Sequence, residues 1–516
     1  MSSQVQTKSS LFNKDKIITK KSYMNYAVIV IAASFLLRLL FLGSFNLLVE
    51  EAYYWNYAEH LDFGYLDHPP MVALLIKITT LIFGTNEFGV RLSALICWMI
   101  ATFFIFRLTS LINDKASQYA IFLLSILPFF FLQSLVITPD QPLLACWSAA
   151  LYFIYRALVF NESKYWYAVG VVIGLGMLSK YTIVLLGLAT LIYTVIIPSA
   201  RTWLKRKEPY LATLIAAIIF SPVIYWNATH EWASFVFQST RRFKDTSHFS
   251  FHYIIILVIA YLMPLGFTGL IKLYKKKDLK EVNLPLKTQR FLQVFTITPL
   301  IFFGVFSLNH SIKIDWIGPG LLAVIPWLAI LISNSNKIRK IWLIASIFML
   351  LGFGTMIGVI SRAQPNIIPN NALTNFISWE DLTIKFNKVA KLTENQTHLN
   401  PIFVSLDLYN LNSQLAFYQA KLLAEDKIIK IYSVLGRDIF GYESLMYKYW
   451  SKGEDLQGAP LLLISNNADD FYWPEIKEKI ILKSPVTKVW AKTQGMGKKN
   501  RPYYYVVAEI KQPDLP

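Results

Sequence analysis

Cysteine is nearly absent from this chain: there are two in 516 residues, Cys97 and Cys146. Both fall inside long apolar runs, which leaves no disulfide framework and no Cys-x-x-Cys pair to hold a metal or a redox couple. Acidic residues are also few, 32 Asp and Glu against 50 Lys and Arg, for a formal charge of +18. Signatures of nucleotide and hydrolase chemistry are missing as well. There is no Gly-rich phosphate-cradling loop, no His-Glu-x-x-His helix and no Gly-x-Ser-x-Gly elbow. Neither an internal repeat nor a low-complexity segment is evident.

What is abundant is apolar surface. With 55% apolar and 15% aromatic residues and a mean hydropathy of +0.43, the chain has more than one soluble core could enclose, and it reads as an integral membrane protein. Apolar runs near the ~20 residues needed to cross a hydrocarbon core recur about eleven times. They fall near 24–44, 89–112, 116–137, 142–160, 165–180, 181–198, 209–227, 251–274, 291–308, 317–334 and 341–360. The fold class expected is an α-helical polytopic membrane bundle followed by a small α/β domain.

The positive charge carries topology rather than nucleic-acid binding. Lys14, Lys16, Lys20 and Lys21 precede the first run, and Arg201, Lys205, Arg206 and Lys207, then Lys275, Lys276 and Lys277, then Lys337, Arg339 and Lys340 fill short connectors. All four groups fall on one side of the proposed count, and the positive-inside rule makes that side cytoplasmic. The expected location is the cytoplasmic (inner) membrane, with a cytoplasmic tail over 1–23 and an extracytoplasmic C-terminus. The first run lacks a small-residue cleavage site and reads as a span that stays in place.

Residues 24–360 then form the bundle, interrupted by a first outer loop at about 45–88 and a second at about 228–250. Within the first loop, Pro69 to Phe83 is apolar but short and reads as an interfacial helix. Residues 361–375, with Pro365 and Pro369, read as a linker. Residues 376–516 contain β-rich runs at 402–406, 461–464 and 503–507 and helical patterns near 412–424 and 443–450. That domain carries no cysteine, so its stability rests on an ordinary core.

The polar residues that stand out gather on the extracytoplasmic side. Glu50-Glu51 follow the first span, Asp67-His68 precede Pro69-Pro70, and Asp140 lies in Thr138-Pro139-Asp140-Gln141-Pro142. Arg91, Lys180, Arg241, Arg242, His230, Glu231, His310, Lys313 and Asp315 share that side. A carboxylate at Glu50 or Glu51 suits general-base removal of a proton from a sugar hydroxyl as it attacks an anomeric carbon; solvated loop acids are the alternative. The double proline stiffens the turn that holds Asp67 and His68, which could share a divalent cation, contact a phosphate, or serve as a plain cap and an exposed imidazole. Asp140 fits a helix cap as well as a site acid. Arg91, Lys180, Arg241 and Arg242 suit a phosphate leaving group, or else snorkel at the interface.

Glu50-Glu51-Ala52-Tyr53-Tyr54-Trp55 with Gly64-Tyr65-Leu66-Asp67-His68-Pro69-Pro70 resembles the first-loop signature of bacterial GT-C membrane glycosyltransferases related to protein O-mannosyltransferases and the lipid A aminoarabinose transferase. Thr138 to Leu143, Leu178 to Thr182, Ser221 to Asn227 with Glu231 to Phe235, and Trp316 to Gly320 are similar to that family in the same order. A weaker likeness runs from Gly436 to Trp450. The resemblance implies a GT-C bundle and inverting transfer of a sugar from a polyprenyl-phosphate donor. The implied acceptor is exported: lipid A, another envelope glycan or a protein. It places the catalytic base at Glu50 beside Glu51 and a donor-phosphate contact at Arg91, with Lys180 and His68 as further candidates. Relatives usually begin the acidic pair with Asp, so Glu50 adds about 1.5 Å of reach, and His68 stands where the aminoarabinose branch has Lys. No cofactor is assigned, and a divalent metal shared by Asp67 and His68 stays an open alternative, two ligands being too few to define a metal site. The competing reading is a transporter or flippase of lipid-linked sugars, which would more often show repeated halves and polar groups at mid-membrane.

Overall fold

The computed structural model describes residues 24–241, 248–362, 377–451, 456, 458–492 and 501–511. Helix α1 (Met24–Phe41) leads into a loop that folds as α2 (Val49–Glu59) and α3 (Met71–Phe83) before α4 (Glu87–Ile112) returns through the bundle. There follow α5 (Ser117–Ile126), α6 (Pro128–Gln133), α7 (Asp140–Leu158), α8 (Tyr165–Met177), α9 (Val184–Ile196) and α10 (Lys207–Thr229). After the bent pair Phe251–Tyr261 and Gly266–Lys272, helices Leu286–Phe306, Ile325–Asn334 and Asn336–Arg362 follow. The helix expected from Pro69 begins at Met71, with Pro70 as its cap.

Among the described residues, five helices are long and apolar enough to cross a membrane, or up to seven if each of two bent pairs counts as one span. Eleven crossings therefore do not follow from helix length. The run 116–137 is divided at Leu127, where Pro128 starts a new helix. The run 165–198 becomes two helices of 13 residues each, about 20 Å long against a core of roughly 30 Å. Close packing compensates where helices are short. A Cβ on Gly170 of α8 would stand 2.5 Å from the Ala212 carbonyl of α10, so the two backbones meet through small residues.

The C-terminal domain holds a sheet in the order β2-β1-β3-β6-β4, with β5 also paired to β6. Strands β1 (Ile402–Ser405), β2 (Val434–Leu435) and β3 (Leu461–Ser465) are parallel, whereas β4 (Ile480–Leu482), β5 (Thr487–Ala491) and β3 run antiparallel to β6 (Arg501–Ile510). β1 and β3 are buried at every position, as their unbroken apolar runs require. The expected helix near 412–424 is found at Asn410–Ala424, while the pattern near 443–450 yields only the turn Tyr447–Trp450. Of the linker, only 361 and 362 are described.

This domain sits on the first loop, and the two share one core. Ala52, Tyr53, Trp55 and Tyr57 of α2 are buried together with Leu415, Phe417 and Tyr418. Backbone groups left open by the loop are met from the domain: Gln414 donates to the Leu47 carbonyl at 2.9 Å, and Leu47 N–H donates to the Tyr418 hydroxyl at 3.1 Å. Asn46 donates to the Ile377 carbonyl at 2.7 Å. Lys421 reaches Glu87 at the start of α4 at 2.8 Å and Glu380 at 2.6 Å. So many aromatics in a loop are stable only because another domain covers them.

Candidate active site

The acidic pair is divided by helix geometry. Consecutive residues on α2 point about 100° apart, and Glu50 and Glu51 face different surroundings. Glu51 turns inward and is fully buried. Its carboxylate accepts the Leu48 N–H at 2.9 Å, which caps the start of α2, and the Ile137 N–H at 3.1 Å. Arg91 supplies the counter-charge, with Nη2 at 2.6 Å and Nε at 2.9 Å. The remaining Arg91 protons go to the carbonyls of Leu42, Phe45 and Asn46 at 3.1, 2.7 and 2.7 Å, closing the end of α1. All five guanidinium N–H groups are thus engaged. The contact with a donor phosphate expected of Arg91 gives way to a buried lock between α1, α2 and α4, and Glu51 belongs to that lock rather than to an open site.

Glu50 is exposed and lines a cavity of about 580 Å³. Around it stand Tyr53 and Tyr54 of α2, Asp67 and His68 of the stiff turn, and His310 and Lys313 from the connector before Trp316. The C-terminal domain contributes Leu408, Tyr409 and Leu445, and the Tyr409 ring lies 4.7 Å from that of Tyr53. Among the described residues no hydrogen bond or ion pair holds Glu50, which leaves its carboxylate available to a bound molecule.

Asp67 is buried, and its carboxylate accepts the hydroxyls of Tyr57 and Tyr53, the latter at 3.4 Å. Burial raises the Asp67 carboxyl above the usual range, against the opposing effect of those hydroxyls and of Lys313. Asp67 therefore braces the turn that presents His68. The metal reading of Asp67 and His68 lacks ligands: among the described residues no three His, Cys, Asp or Glu side chains come together as a metal set.

Lys180 and Asp140 also meet, but with each other. The ammonium of Lys180 lies 2.8 and 2.9 Å from the two oxygens of Asp140 and 2.9 Å from Asp315. Its three protons are engaged by two carboxylates, so the donor-phosphate role expected of Lys180 would require displacing a buried bridge of net negative charge. This bridge ties the start of α7, the turn after α8 and the connector before Trp316. Arg241 ends the π-helical turn Phe237–Arg241, and Arg242 lies outside the described residues.

Beside the polar cavity is an apolar groove of about 400 Å³, lined by Tyr181, Val184, Leu185, Phe302 and Phe303 among others. His68, Phe306 and Trp316 face both spaces. The sequence set Lys313 and His310 among the polar residues expected on the outer side but gave them no role; Tyr409 carried no signal, and Leu445 only the weaker likeness from Gly436 to Trp450, in a domain more than 350 residues from Glu50.

Residues 67–226 match the family model described as dolichyl-phosphate-mannose-protein mannosyltransferase. A lipid A galacturonosyltransferase, RgtD of Rhizobium johnstonii, is 26% identical over 204 residues, which is 39% of this chain and 42% of that protein. The match thus spans less than half the length of that curated relative. Two crystal structures of ArnT from Cupriavidus metallidurans share the fold. The apo form has a TM-score of 0.63 at 13% identity, and the form bound to undecaprenyl phosphate 0.61 at 15%. Both alignments cover 94% of this chain and 98% of the ArnT chain.

Proposed function

From its GT-C architecture and its relation to the protein mannosyltransferases and ArnT, we propose that this chain transfers a sugar from a polyprenyl-phosphate donor to an extracytoplasmic acceptor, with inversion. The observation that carries this reading is Glu50: an exposed carboxylate in a polar cavity that shares a wall with an apolar groove. The groove suits a polyprenyl tail, and the shared wall at His68 suits the phosphate at the junction between lipid and sugar. Lys313 is the cavity's ammonium, and with His68 it can offset the charge that develops on the leaving phosphate.

In the proposed step the acceptor hydroxyl gives its proton to Glu50 as its oxygen bonds to the anomeric carbon. The bond from that carbon to the phosphate oxygen breaks, and the electron pair stays on polyprenyl phosphate. A phosphate needs no protonation to leave, so a single base suffices. Glu51 and Arg91 hold α2 against α1 and α4 and thereby fix where Glu50 stands. No step is routed through a metal. A lipid A acceptor is favoured by one relative, which is by name a lipid A galacturonosyltransferase.

The test is reconstitution with a radiolabelled polyprenyl-phosphate sugar. Release of free polyprenyl phosphate that depends on Glu50 supports transfer. Movement of the intact donor between leaflets without cleavage overturns it in favour of a transporter.

A further inference from the structure

The catalytic cavity has a second boundary. Phe237 and Leu445 face it on one side and line an open cleft of about 550 Å³ on the other. This cleft lies between the second outer loop and the C-terminal domain, and shares neither residue with the apolar groove.

Both residues of that partition sit on irregular backbone. Leu445 has a φ of +50°, in the left-handed region that side chains other than glycine, asparagine and aspartate seldom occupy. Phe237 opens the π-helical turn Phe237–Arg241, a form that often accompanies functional sites. Neither is loosely held. The Asn227 side-chain oxygen accepts the N–H groups of Ser234 and Phe235 at 3.1 and 3.3 Å, which fixes the segment entering Phe237. Beyond Leu445, the Met446 N–H donates to the Tyr53 hydroxyl at 3.2 Å. Strain that its surroundings maintain at a cavity wall points to use of that wall.

We infer that this cleft admits the acceptor and that the acceptor presents a saccharide hydroxyl. The inference rests on the glycosyl transfer proposed above. Inversion requires the acceptor oxygen to reach the anomeric carbon on the face opposite the leaving phosphate. The donor's tail and phosphate are assigned to the boundary at His68, Phe306 and Trp316, so the acceptor needs another opening, and the Phe237–Leu445 boundary supplies one. The lining of the cleft matches a sugar better than a lipid chain. Leu66 and Val236 give apolar surface, while Thr240, Glu443, Lys448 and Tyr449 give hydrogen-bonding groups of both polarities. A base at Glu50 also helps only a nucleophile that still carries its proton, which is a hydroxyl and not an ionised phosphate. That proton passes to Glu50 as the new bond forms, and the departing electron pair passes to the phosphate.

The test uses the full chain in nanodiscs with a polyprenyl-phosphate sugar, and as acceptors intact lipid A and its fully deacylated saccharide. Lys448→Ala and Thr240→Trp change exposed cleft residues that do not line the catalytic cavity. Each should raise KM for both acceptors by about tenfold or more, Lys448→Ala through the loss of one charged hydrogen bond and Thr240→Trp by filling the cleft, while kcat and the binding of free polyprenyl phosphate hold. An unmoved KM for the deacylated saccharide, or a fall in kcat alone, overturns the assignment. Failure of the unsubstituted protein to cleave donor overturns the transfer reaction and this inference together, whereas cleavage with unmoved acceptor KM overturns only the latter.

Discussion

Arg91 holds the carboxylate of Glu51 from 40 positions along the chain, at 2.6 to 3.1 Å, with both side chains fully buried. Removing either partner leaves a charge stranded in the interior, which costs about 3–5 kcal/mol. Glu51→Ala and Arg91→Ala should each lower the melting temperature of the detergent-solubilised protein sharply, and the double variant should cost less than the sum. A loss of activity in Glu51→Ala at unchanged Tm would return Glu51 to the chemistry.

Glu50→Gln should behave in the opposite way. With no described partner to lose, its Tm should stay near that of the parent, while transfer to a hydroxyl acceptor falls by about 10²–10⁴. Transfer to a phosphate acceptor should fall less, because that nucleophile is already ionised. Equal losses on both acceptors would argue that Glu50 positions the donor instead of removing a proton.

Lys313 and Lys180 should separate by the same logic. Lys313→Ala should weaken binding of polyprenyl phosphate by about tenfold or more, the loss of one charged hydrogen bond, with little change in stability. Lys180→Ala should instead destabilise the fold, since it leaves Asp140 and Asp315 facing each other without a cation. Thermal melts and equilibrium binding of polyprenyl phosphate, measured on both variants, distinguish the two roles.

Stability of the C-terminal domain should depend on pH. Burial pushes the Glu380 carboxyl up, but Lys421 at 2.6 Å, with Lys427, holds it below its ordinary value, and this pair ties together two helices of the domain itself. A lowered carboxyl contributes stability that is complete above its unfolded pKa, about 4.3, and that is lost as pH falls through the folded one. Limited proteolysis should therefore begin to cut within the domain below about pH 4, and at higher pH in Lys421→Ala. Because Tyr409 and Leu445 wall the cavity, transfer should decline as the domain loosens. An acid-insensitive domain would assign its stability to the apolar core alone.

The first loop should face away from the cytoplasm. Phe63 is 57% exposed at its tip. In a chain with Cys97 and Cys146 replaced by alanine, Phe63→Cys should react in intact spheroplasts with a thiol reagent that cannot cross the membrane. Reaction only after lysis would invert the topology and remove the active site from the side where the donor is proposed to be used.

Legibility in the sequence followed the range of the interactions involved. Runs such as those of α4 and α10 announced helices because apolar length is a local property, and β1 and β3 announced strands for the same reason. The first loop stood out as a candidate site from its acids and aromatics. The residues themselves did not separate Glu50 from Glu51, and only the resemblance pointed to Glu50, since which acid opens to the cavity depends on the rotation of α2 and on Arg91 lying behind it. Lys180 looked like a free cation because Asp140 and Asp315, which engage it, lie 40 and 135 residues away.

The sequence by itself therefore determined a membrane bundle with a separate α/β domain and a polar loop after its first span, because hydropathy and charge act residue by residue. The tertiary structure alone decided that Glu50 is open and Glu51 closed, that Arg91 and Lys180 are already paired, and that Tyr409 and Leu445 complete the cavity. Those outcomes turn on which side chains meet across helices and domains, and burial and pairing exist only once the chain has folded.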